Sequence, residues 1–150
     1  MSIPHNRLIW RLERQLALQL DPERFELRTN LGRVRRGDET YYIPDLYVVP
    51  LSAPPTIRDQ PRGLEVFADP LPLVVEVWSP STGDYDVDAK IPAYQRHSDV
   101  EIWRLHPFDR TLTVWRRQDD GSYSQSVFTS GTNQPIALPG ATIDLDALFD

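Results

Sequence analysis

Leu8, Leu12 and Leu16 recur at four-residue spacing with Ile9, Leu18 and Leu20 beside them. That rhythm predicts an amphipathic helix over residues 4–20, stopped by Asp21-Pro22. Phe25, Leu27, Thr29 and Leu31 then alternate with polar neighbours, which predicts a strand ended by Gly32. A polar turn, Arg36-Gly37-Asp38-Glu39, leads into a β-rich run over residues 41–49 that Pro44 interrupts. The strand therefore either lies at an edge or starts properly at Asp45. Six prolines between residues 50 and 72 predict an extended surface loop, with a short helical turn near 64–67.

Residues 73–78 are almost continuously apolar, the pattern of a central strand covered on both faces. A Ser-Pro-Ser-Thr-Gly turn follows, then a second helix over 86–97 in which Ile91, Tyr94 and Gln95 share helical spacing. Pro92 removes one backbone donor, so the helix is expected to begin only near Lys90. Residues 100–105 and 111–116 form a hairpin around Pro107-Phe108-Asp109-Arg110. A further turn at 119–122 leads into a strand over 123–128, and 143–149 close the chain as a short strand or helix. The order of elements predicts an α/β fold around a mixed sheet, and 150 residues suit one domain, residues 1–150.

The longest apolar run, residues 71–78, contains Pro72 and Glu76 and excludes a transmembrane helix. No secretory pattern opens the chain, so a cytoplasmic protein without membrane contact is expected. Without cysteine, disulfides, thiolate metal sites and cysteine nucleophiles are excluded. The net charge of −6 is unevenly spread: residues 1–36 carry 8 Arg against 4 carboxylates. The run Arg33, Arg35, Arg36 reads either as a solvated strand end or as a phosphate contact. Of the 16 basic residues, Lys90 is the one lysine. Lysine is a compact point charge rather than a planar fork, so a site needing one donor on one oxygen would resist its exchange for Arg.

Two carboxylates lie where chemistry is expected. Asp45 opens an apolar strand, and Glu76 sits inside the central one, on the face shared by Val74 and Trp78. An ionised Glu on a buried strand costs several kcal/mol unless it is paired or metal-bound. Asp84, Asp86, Asp88 and Lys90 follow that strand, with Asp86 and Lys90 four apart and on one helical side. Two strand carboxylates make a hard oxygen site suited to Mg²⁺ or Mn²⁺, with a lysine to orient water or stabilise a phosphate oxygen. The competing reading is structural: Glu76 pairs with Arg35 or Arg104, and the aspartates merely cap a helix. His5, His97 and His106 show no ligand spacing and are expected to be non-catalytic. Glu13 either adds a carboxylate to the site or belongs to a solvated helix face. Trp10, Trp103 and Trp115 are expected in the core or at subunit contacts.

The string Leu73-Val-Val-Glu-Val-Trp-Ser-Pro-Ser-Thr82, with Tyr85-Asp86, Lys90 and Tyr94 behind it, resembles the Uma2 (DUF820) family of the PD-(D/E)XK restriction-endonuclease-like superfamily. Pro44-Asp45-Leu46 upstream and residues 100–107 downstream extend the resemblance over nearly the whole chain. It implies a restriction-endonuclease-like mixed sheet flanked by helices, and a metal-dependent endonuclease acting on DNA. Asp45 and Glu76 would be Mg²⁺ or Mn²⁺ ligands, joined by the Val77 carbonyl. The superfamily lysine, usually two residues after the Glu, is replaced by Trp78 and matched by Lys90 on the next helix. A homodimer is the superfamily's usual arrangement for cutting two strands. His106 stands where the family usually has Asp. The alternative is a catalytically inactive member of the same fold, acting as a DNA-binding or protein-interaction module.

Overall fold

The structure, a computed structural model, describes residues 3–29, 32–36, 40–52, 56–57, 65–67, 69–80 and 83–150, without the side chains of 32–36, 40–42, 56–57, 65–66 and 83–87. In chain order the elements are α1 (Ile3–Ala17), β1 (Phe25–Arg28), β2 (Gly32–Arg36), β3 (Thr40–Tyr42), β4 (Leu46–Pro50), β5 (Thr56–Ile57), β6 (Glu65–Phe67) and β7 (Leu73–Val77). They continue with α2 (Gly83–Arg96), β8 (Glu101–His106), β9 (Thr111–Arg117), β10 (Tyr123–Phe128), β11 (Thr132–Asn133), β12 (Ile143–Asp144) and α3 (Leu145–Phe149).

Six strands form the main sheet in the order β1-β4-β7-β8-β9-β10. Only the β7–β8 pair is parallel, because α2 carries the chain back across the sheet between them; the others are antiparallel neighbours. This is the mixed sheet with flanking helices that the sequence predicts. A second sheet, β3-β2-β6-β5, and the β11–β12 pair lie outside it.

Each face of the sheet carries its own core. Leu8, Leu12 and Leu16 of α1 pack on Leu46, Val48, Leu73, Val75 and Trp103, with Leu145 and Leu148 of α3 closing the same side. On the other face, Ile91 and Tyr94 of α2 pack on Tyr47, Val74 and Ile102, together with Phe67. Each such side chain withdrawn from water contributes about 1.5–3 kcal/mol. β7 is buried on both faces along its whole length, the consequence of a run that is apolar but for Glu76.

Three expectations change. The segment near 64–67 is not a helical turn: residues 65–67 are strand β6, paired in parallel with β2. The 41–49 run is two strands in two sheets, divided where Pro44 withholds a donor. α2 starts at Gly83 and contains Pro92, whose ring is exposed. Burial of Ile91, Ala93 and Tyr94 outweighs the one missing helical bond. Of the places expected for the tryptophans, Trp103 takes the core, fully buried, while Trp10 is 57% exposed. The turn at 37–39 lies outside the described residues, as do the side chains of Arg33, Arg35 and Arg36. None of the described helices is long and apolar enough to cross a membrane.

Candidate active site

Asp45 precedes β4 at the rim of the main sheet. The β4–β7 register pairs Leu46 with Val75, so one step outward Asp45 stands opposite Glu76, on the same face. Glu76 is 2% exposed. Its Oε1 accepts a short hydrogen bond from the Tyr94 hydroxyl of α2 and lies 3.6 Å from Lys90 Nζ on the same helix. Lys90 and Tyr94 are four residues apart, so one turn of α2 delivers both groups onto one carboxylate oxygen. Asp45 is held differently. Its Oδ2 accepts the Val77 backbone N–H at 2.8 Å and faces His5 Nε2 of α1 at 3.2 Å.

The electrostatics follow from this crowding. Burial, then the neighbouring Asp45 carboxylate, push the Glu76 pKa well above the ordinary glutamate value, while Lys90 and the Tyr94 bond pull it down without prevailing. The Tyr94 hydroxyl is likewise driven up, by burial and then by Glu76. Burial opposes protonation of His5, but its hydrogen bond to Asp45 and that group's charge win and raise its pKa. Asp45 and Glu76 stand side by side with Lys90 and His5 against them, and the repulsion between the two carboxylates is what a bound cation would relieve. Such a pair is a natural seat for a cation.

The structure thus brings together Asp45, Glu76, Lys90 and the Val77 backbone. The structural pairing of Glu76 with an arginine is not the arrangement seen at Oε1: the ammonium of Lys90 lies there, while Arg104, the register neighbour of Glu76, directs Nη1 towards Asp88 at 3.7 Å.

A family model described as Uma2, "Putative restriction endonuclease", matches residues 1–146. The chain belongs to the Uma2 family. A solved structure from Anabaena variabilis, described as "a putative nuclease belonging to DUF820", is similar in fold. Its TM-score is 0.77 at 20% identity, over 99% of this chain and 82% of that one. No curated protein matches.

Two groups of this Uma2 site lack a distinctive sequence signal of their own. His5 has no ligand-like spacing, and only the packing of α1 across the sheet carries it to Asp45, 40 residues away. A hint exists in the Leu8/Leu12/Leu16 stripe, which extends backward by one turn to position 5. Tyr94 stands in the family string, yet its bond to Glu76 needs α2 to run unbroken through Pro92. Glu13, the acid considered on α1, lies about 12 Å further along the helix axis than His5.

The donor set fits a hard divalent ion. Carboxylate oxygens from two strands suit Mg²⁺ or Mn²⁺, which keep several positions for water and phosphate rather than demanding an all-protein cage. Among the described residues, no group of three or more His, Asp or Glu side chains is placed to hold a metal ion.

Proposed function

We propose that this Uma2 chain, as one domain over residues 1–150, is a Mg²⁺- or Mn²⁺-dependent endonuclease that hydrolyses DNA phosphodiester bonds. One observation carries the reading: Lys90 Nζ lies 3.6 Å from Oε1 of a buried Glu76 that faces Asp45 across two paired strands. Asp45, Glu76 and the Val77 carbonyl would hold the ion. Bound there, it supplies Lewis-acid polarisation of the phosphate and a water of lowered pKa.

The protein's own groups do the remaining work. The Tyr94 hydroxyl fixes one oxygen of Glu76, and the Val77 N–H and His5 fix one oxygen of Asp45, so both acids are oriented before any ligand arrives. Lys90, with its ammonium half-sheltered beside Glu76, offers a donor to a phosphate oxygen or to the attacking water as negative charge develops. A point charge on a flexible stem suits that task, in accord with lysine standing here in a chain otherwise rich in arginine. The acidic bulk of the chain repels a polyanion, so DNA affinity is expected to be weak and metal-assisted. Pairing of two copies would let both strands be cut.

The test is cleavage of plasmid and linear DNA with Mg²⁺, Mn²⁺ or EDTA. Nicking or cutting is expected with the metals, lost in EDTA and reduced at least a hundredfold in Glu76→Ala and Lys90→Ala. Equal cutting by parent and both variants would sink the assignment of these residues. A protein that binds DNA but hydrolyses none under any divalent ion would instead be an inactive module of this fold.

A further inference from the structure

Trp78 continues the row of Glu76 on the same sheet face, two residues beyond it. At about 3.3 Å per residue its Cα lies about 7 Å further towards the strand's carboxyl end. Its N–H donates to the Leu105 carbonyl at 2.9 Å, which carries the parallel β7–β8 register one rung past the strand. His106 is therefore its cross-strand neighbour. The two rings stack with centroids 4.4 Å apart and planes 18° from parallel.

Phe108 stands edge-on to both, 5.6 Å from Trp78 and 6.4 Å from His106, and is 56% exposed. The turn beneath it is fixed. His106 Nδ1 accepts the Asp109 N–H at 3.1 Å, and Arg110 adopts the left-handed backbone (φ 54°) with its guanidinium on the Phe149 carbonyl at 2.7 Å. A cleft whose charged lining is Arg7, Arg11 and Asp150 opens beside this turn at Pro107, with Arg11 held on the Leu148 carbonyl at 3.1 Å and Asp150 paired with Arg110 at 2.8 Å. It belongs to the same end of α1 from which His5 reaches Asp45.

An isolated exposed Phe needs no explanation. This one is buttressed by two stacked rings at the end of the carboxylate row, and its neighbour Pro107 shares a cleft with Arg7. That combination, an aromatic face beside a cation, is the way sequence-tolerant proteins hold a single strand. We propose that Phe108, supported by Trp78 and His106, is a stacking subsite for an unpaired nucleobase of the substrate strand near the scissile phosphate, with Arg7 in the neighbouring cleft as the cation for its backbone. It rests on the nuclease reading and deepens it. Trp78, which supports Phe108, stands about two stacked nucleotides from Glu76 at about 3.4 Å each.

The test is fluorescence anisotropy of a fluorescein-labelled 12-nucleotide single-stranded oligodeoxynucleotide, with Ca²⁺ replacing Mg²⁺. An abasic site is moved along the strand. The parent protein is expected to lose about tenfold in affinity when one particular base is absent. Phe108→Ala should bind the intact strand about tenfold more weakly and show a flat abasic scan, and Phe108→Tyr should restore both. Unchanged melting temperature and sedimentation of Phe108→Ala establish that the loss is local. If the parent cleaves DNA yet Phe108→Ala binds like it, the subsite is wrong and the nuclease reading stands. The subsite is equally overturned if Phe108→Ala only dissociates an oligomer, which would make Phe108 a subunit contact. A parent that neither binds nor cleaves removes both.

Discussion

Exchanging Glu76 for Gln should stabilise the metal-free protein, although it destroys the proposed metal seat. The Lys90 ammonium, 3.6 Å away, attracts the carboxylate by about 5 kcal/mol at an effective dielectric of about 20. Asp45 repels it from hydrogen-bonding range with a similar magnitude, so the two largely cancel. What remains is the penalty of burying a charge that is 2% exposed. Gln keeps an oxygen for the Tyr94 hydroxyl and gains an amide that can donate to Asp45. A gain of about 2 kcal/mol is expected at pH 8 in EDTA, raising the melting temperature by about 4–8 °C.

The pH dependence fixes the sign. The folded pKa of Glu76 lies above its ordinary value of 4.5, so the folded state favours the protonated form. Its contribution is most favourable below pH 4.5 and is lost as pH rises through the elevated folded value. The advantage of Glu76→Gln should therefore vanish near pH 4 and grow towards pH 8. Thermal unfolding by circular dichroism at several pH values reads this directly. Mn²⁺ should reverse the order by stabilising the parent, about 2.7 kcal/mol at a hundredfold excess over Kd, and not the variant. A variant less stable than the parent at pH 8 in EDTA, or equally displaced at pH 4 and 8, would refute the reasoning.

Two structural predictions accompany it. Arg116→Leu removes the partner of the fully buried Glu101, whose Oε1 accepts Arg116 Nε at 2.8 Å, and should lower stability by about 3 kcal/mol in urea unfolding. Trp103 is fully buried with an indole N–H that meets no acceptor, so Trp103→Phe loses packing but no hydrogen bond and should cost about 1–3 kcal/mol. Trp103→Ala, which opens a cavity, should cost about 3–5 kcal/mol by the same measurement.

The pattern of the chain alone determines a good deal of this molecule. A nearly continuous apolar run places β7 at the centre of a sheet, and its alternation puts Glu76 on the face of Val74 rather than Val75, because side chains of a strand change sides at every residue. The leucine stripe similarly fixes which side of α1 meets the sheet. Such signals are local, set by periodicity within a few residues. The short strand of residues 65–67 carried none, since its pairing with β2 lies about thirty residues away. The site itself is a long-range product. Asp45 meets Glu76 only through the β4–β7 register, and Lys90 and Tyr94 reach it because burial of α2 overrides the missing donor of Pro92. His5 arrives from the opposite layer, around the rim of the sheet. Chemistry-bearing residues were visible one by one in the chain. Their convergence depended on contacts between segments tens of residues apart, where packing outweighs the conformational preference of any single residue.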